Sequence, residues 1–188
     1  RDWSSDVCSS DLRLVAAIDG DDVRTFHLVT SFEREAPSLP VRGGEEARAA
    51  RAARADLALR AQSAAAEDAA LRSVPLAQLR EDFAGYVLDG RPVRSLAGYQ
   101  GRYVDVRAEV TVAPLLVGGA ASAAAGATGR AATLASGIHA LARLALAAGH
   151  DDLAIVRLGS DVTSVAILHA GAVAATRSFG LGRDELAA

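Results

Sequence analysis

The chain contains no methionine and no lysine, and its only tryptophan and only cysteine, Trp3 and Cys8, lie within the opening RDWSSDVCSSDL. That opening is similar to one translated frame of a common sequencing adapter, so residues 1–12 are read as an adapter-derived artefact and set apart from the fold. From Arg13 onward there is then no disulfide, no thiolate metal site and no cysteine nucleophile. With no Met, no start codon is represented, and the sequence reads as an internal piece of a longer protein. Aromatic residues make up 4% and the formal net charge is −3. Two of those three negative charges come from Arg1 set against Asp2, Asp6 and Asp11. A near-neutral remainder with few stacking rings has no nucleic-acid footprint. His27, His139, His150 and His169 show no i, i+4 spacing, so no metal site is expected.

One charge-free run, Val110 to Gly129, has the length of a membrane span. Its content of Ala, Gly, Ser and Thr with an internal Pro114 is too weakly apolar for insertion. It reads better as a strand ending near Ala113 followed by a small-residue helix, and the chain is expected to be soluble.

Along the chain, 13–32 carries two β-prone runs around Asp19-Gly20-Asp21, a strand–turn–strand signal. Residues 45–71 suit a helix, with Glu45 and Glu46 in its first turn where the helix dipole favours acids. Residues 79–93 read as a strand entering the turn Asp89-Gly90. Residues 101–114 alternate with period two: Tyr103, Asp105, Arg107, Glu109 and Thr111 against Val104, Val106, Ala108, Val110 and Val112. That pattern predicts one buried and one solvated face. After Pro114 come two Ala/Gly-rich helices at 118–129 and 136–148 with a short link, then strands at 153–158, 162–169 and 172–179. The resulting fold class is α+β for a first unit, 13–112, passing into α/β for a second, 113–188.

Two stretches carry a family resemblance. GYVLDGRPVRSLAGYQGRYVDVRAEVTVAP (85–114) holds Tyr86, Asp89, Gly90, Gly98 and Gly101 in an aromatic–Asp-Gly turn, a Gly-x-x-Gly turn and a long strand. LGSDVTSVAILHAGAVAATRSFGLGRDELA (158–187) holds Thr176, Arg177, Ser178, Gly182 and Asp184 in a Thr-Arg-Ser…Gly-x-Asp run. Together they resemble the bacterial cell-division family FtsA, of the actin/Hsp70-like ATPase superfamily. The resemblance implies that 13–112 is the inserted strand–helix–strand–strand (SHS2, or 1C) domain. It implies that 113–188 is part of an actin-like (ribonuclease H-like) ATPase core with its second phosphate loop. It further implies a cytoplasmic protein at the inner face of the cell membrane at the division site. Such a protein self-associates into filaments and links FtsZ to other division proteins, with a C-terminal membrane helix beyond this sequence. A PilM-type pilus-assembly ATPase, or a non-nucleotide scaffold displaying the SHS2 domain, are the alternatives.

In such ATPases, backbone N–H groups of a glycine-rich turn cradle phosphates, and an Asp holds magnesium through water. The resemblance places Arg157 on that Asp. Gly159, Ser160 and Asp161 fall on the three glycines, and Val162 and Thr163 on two threonines. Gly159, Ser160, Asp161 and Thr163 are therefore the candidate nucleotide contacts, for ATP with magnesium. Only Gly159 and Thr163 keep the pattern. Asp161 puts a carboxylate where phosphate oxygens belong, and Arg157 cannot hold magnesium; it either pairs with Asp161 or touches phosphate itself. The loop reads as the remains of a phosphate loop, with a working loop and a plain hairpin as the other readings, and turnover is left open. Ser136 is read as a helix N-cap, and Asp19, Asp21 and Asp22 as a polar turn. The Arg-rich stretch 48–60 is read as a solvated helix face, with a partner surface as the weaker reading.

Overall fold

The period-two run of residues 103–114 becomes the central strand of the largest sheet. The computed structural model describes residues 14–129 and 132–187, so the reading of residues 1–12 lies outside the described residues. The elements are β1 (Leu14–Ile18), β2 (Arg24–Glu33), α1 (Gly43–Glu67), β3 (Leu76–Leu88), β4 (Arg91–Val93) and β5 (Tyr103–Pro114). There follow α2 (Leu115–Gly126), β6 (Ala132–Ser136), α3 (Gly137–Ala147), β7 (Leu153–Leu158), β8 (Thr163–His169), β9 (Ala172–Phe179) and α4 (Arg183–Leu186). The described residues form a mixed α+β structure with three sheets: β1-β6, β2-β5-β3-β4 and β7-β8-β9.

The four-stranded sheet is antiparallel throughout. Asp89 (φ 46°) and Gly90 (φ 81°) make the tight turn between β3 and β4, with both central residues left-handed as such hairpins need. One face of the sheet carries Phe26, Leu28, Val104, Val106 and Val110, and α1 lies across it. The helix is Ala-rich, which favours helix formation, and it buries Ala53, Leu57, Ala61 and Ala65 at i, i+4 spacing against those strands. At its end the Asp68 carboxylate accepts from Arg24 of β2 and from Arg177 of β9, both at 3.1 Å. One buried acid thus ties helix, large sheet and small sheet together.

The predicted solvated face of β5 is solvated only at its start. Tyr103 and Arg107 are exposed, but Glu109 and Thr111 are 4% and 2% exposed. The reason is tertiary: His139 and Arg143 of α3 reach Glu109 from this side, and the Thr111 hydroxyl pairs with that of Thr25 on β2.

The two runs around Asp19-Gly20-Asp21 are both strands, but they enter different sheets. β2 pairs with β5, whereas β1 pairs in parallel with β6, Leu14 opposite Ala132 and Ile18 opposite Ser136. A strand within 13–112 thus has its hydrogen-bonded partner beyond residue 113. The link expected between the two later helices is itself β6. In the small sheet, Ile155, Ala166, Leu168 and Val173 pack on Ile138 and Ala142 of α3. Val110–Gly129 divides between β5 and α2, and no helix among the described residues is long and apolar enough to cross a membrane.

Candidate functional site

The β7–β8 turn brings Gly159, Ser160, Asp161 and Thr163 together, as their spacing requires. Its hydrogen bonds, however, are closed by the protein itself. The Gly159 N–H donates to the Val162 carbonyl at 2.9 Å, and the Ser160 hydroxyl donates to the Asp161 carboxylate at 2.9 Å. Thr163 Oγ1 donates to the Leu181 carbonyl at 2.6 Å. From the other side, Arg183 and Asp184 N–H groups donate to the carbonyls of Gly159 (2.8 Å) and Ser160 (3.1 Å). Gly182 lies so close that a Cβ there would collide with the Ser160 carbonyl. The turn therefore offers carbonyl oxygens to the segment that follows β9. Carbonyls repel phosphate; a phosphate cradle needs converging N–H groups.

Arg157 does not pair with Asp161. Its guanidinium forms an ion pair with Asp19, at the end of β1. The Asp19 carboxylate also lies against Gly137, filling the space that a Cβ would take at the first turn of α3. A carboxylate at a helix N-terminus is favourably placed. Asp21, two residues on, stands 2.7 Å from where a Cβ of Gly180 would be. The polar turn of the sequence thus joins three elements: α3 through Asp19, β7 through Arg157 and the post-β9 segment through Asp21. Ser136 occupies the N-cap position of α3, as expected, but its hydroxyl makes no capping hydrogen bond.

Sequence reasoning missed a second polar cluster. Glu109 on β5 is 4% exposed, with His139 Nε2 3.1 Å from Oε2, His27 Nδ1 3.5 Å from Oε1 and Arg143 Nη1 3.8 Å from Oε2. The His139 approach is off-line, leaving Oε2 and both His139 ring nitrogens without a well-aligned hydrogen bond, as is Nε2 of His27. Burial raises the carboxyl pKa, and the adjacent His139 and His27 more than reverse this, holding it down at about 2. The one signal in the sequence was the charge-free run starting at Val110, which marks where β5 becomes buried on both faces. Among the described residues, no group of three or more His, Cys, Asp or Glu is arranged to hold a metal. No family model matches the chain, and no curated protein matches it.

Proposed function

We propose that the chain is an FtsA-like cell-division component that works through contacts, with ATP binding weakened or lost. Its partners on this reading are FtsZ, other division proteins and further copies of itself in filaments. Its place is the cytoplasmic face of the membrane at the division site. The order β2, α1, β3, β5, with the short β4 between the last two, supports the reading of an SHS2-type module, and the β1–β6 and β7–β9 layers support that of a partial actin-like core. The observation that carries the loss of nucleotide is the Arg157–Asp19 ion pair. A cation stands where the resembling ATPases hold magnesium through an acid, and its charge is already neutralised within the protein. The plugged β7–β8 turn favours the scaffold form of this reading over a turnover enzyme.

Two measurements test it. A fluorescent ATP analogue with magnesium should show no saturable binding up to about 1 mM, the upper end of ordinary substrate constants; magnesium-dependent binding in the micromolar range overturns the contact-only reading. A fluorescent fusion in the host should concentrate with FtsZ at the division site. Diffuse fluorescence while the FtsZ ring is intact overturns the cell-division reading itself.

A further inference from the structure

Among the described residues, the four-stranded sheet ends in β2, hydrogen-bonded as a strand to β5 alone; β9 also lies against β2, tied to Arg24 at its start through Asp68. Alternate backbone N–H and C=O groups along its outer edge therefore have no ladder partner in this sheet. Beside that edge, α1 is held by two side-chain tethers. At one end the Thr30 hydroxyl donates to the Asp56 carboxylate. At the other, Arg34 forks onto both oxygens of Glu45, at 2.7 and 3.2 Å. Arg34 is 5% exposed, and it also donates to the carbonyls of Gly101 (2.8 Å) and Leu39 (3.0 Å), so this tether is rigid. Between the tethers lies a groove of about 750 Å³ with Ala49, Ala52 and Ala53 along its helical side. Thr30 to Arg34 spans about 13 Å of strand, the reach of four to five extended residues.

Three arginines and three glutamates line the groove, but they are not equally engaged. Glu45 is committed to Arg34, and Glu33 to Arg102 at 2.6 Å. Among the described residues, Arg42 and Arg48 form no ion pair, with Glu35 as the one uncommitted acid of the lining.

We propose that this groove is a docking site for an extended, acidic peptide segment of a partner protein, added as a fifth strand beside β2. Backbone pairing with the β2 edge gives affinity. Alternate apolar side chains of the peptide lie on the alanine floor, and its acids face Arg42 and Arg48. Small alanines leave room for valine-sized side chains, which select the partner by size as well as charge. The site is separate from the β7–β8 turn, so it stands whether or not nucleotide binds there.

The test uses the whole chain and two labelled, end-blocked heptapeptides of alternating residues, Val with Glu and Val with Lys, followed by fluorescence anisotropy. The Val/Glu peptide should bind saturably and weaken as salt rises, and the Val/Lys peptide at least ten-fold more weakly. Arg42→Glu with Arg48→Glu should reverse that preference. Ala52→Trp should remove binding of both peptides by filling the groove. Hydrogen exchange should slow at residues 29–34 when the Val/Glu peptide binds, a readout that holds even if Ala52→Trp fails to fold. Equal binding of the two peptides overturns the proposal, as does protection at β7 instead of β2. Protection of 29–34 by protein concentration alone would give the groove to a second copy and also overturn it.

Discussion

Glu109 shows how a residue placed on a solvated face by local pattern comes to carry a buried charge. Desolvation works against its ionised form, but His139 and His27 reverse that effect and hold the carboxyl pKa at about 2, below the ordinary 4.5. A carboxyl group depressed on folding stabilises the fold above its unfolded pKa, and that contribution is lost as pH falls through the folded value. At roughly 1.4 kcal/mol per pH unit, the shift corresponds to about 3 kcal/mol. Urea unfolding should therefore show the native chain losing about 3 kcal/mol more than Glu109→Gln between about pH 5 and about pH 2. Parallel curves for the two proteins would show that Glu109 is not held by its neighbours. The sequence near Glu109 marks only that β5 goes under cover after it, through the charge-free run from Val110; its partners lie on β2 and α3, far away along the chain, and no local pattern names them. Arg157 is the same case: its partner Asp19 lies at the end of β1, while the nearer Asp161 is occupied by Ser160.

At the scale of elements, the contact between the β7–β8 turn and the segment after β9 makes a sharper prediction. Neither Gly180 nor Gly182 has a left-handed φ, so substitution there meets contacts and not backbone strain. A Cβ at Gly182 meets the Ser160 backbone, which cannot swing aside, whereas one at Gly180 meets only the Asp21 side chain. Gly182→Ala should lower the Tm by several degrees, in line with overpacking costs of about 1–3 kcal/mol. It should also speed exchange of the Arg183 and Asp184 amides, which donate to the turn. Gly180→Ala should do much less, and equal effects would contradict the packing described. Most elements were legible because each announces itself locally: β5 by alternation, α1 by its alanines and first-turn acids, β8 and β9 by apolar runs around a turn. β6 was not, since Ala-Thr-Leu-Ala-Ser is short, carries small residues and has no alternation. The pairing of β1 with β6 was illegible for another reason. Parallel partners are joined by a crossover, here more than a hundred residues long, and no local period records which strand waits at its end.

Over the whole molecule, burial is uneven, and the small sheet shows the consequence. One of its faces is covered by α3. The opposite face aligns Ala154, Ile167 and Ala175 in one row, Val156, Val165 and Arg177 in the next, and Leu158, Thr163 and Phe179 in a third. Val156, Leu158, Ile167 and Phe179 are between 46% and 61% exposed. Among the described residues β7 is also an edge strand, paired with β8 alone. Natural edges are commonly protected by charged residues that resist pairing with another chain. Here the one charge in the three rows is Arg177, which is turned toward Asp68, and Arg157 of the edge strand is engaged by Asp19. Without an opposing charge, an exposed apolar face beside an open edge favours self-association. Sedimentation velocity from about 2 to about 200 μM should show the chain shifting to larger species across the range where exposed strand edges associate. Val156→Thr with Ile167→Thr keeps the β-branching that strands favour while removing apolar surface, and should move that shift to at least several-fold higher concentration. An unchanged shift would assign association to another surface. If residues 29–34 became protected at the same concentrations, that surface would be the open edge of β2.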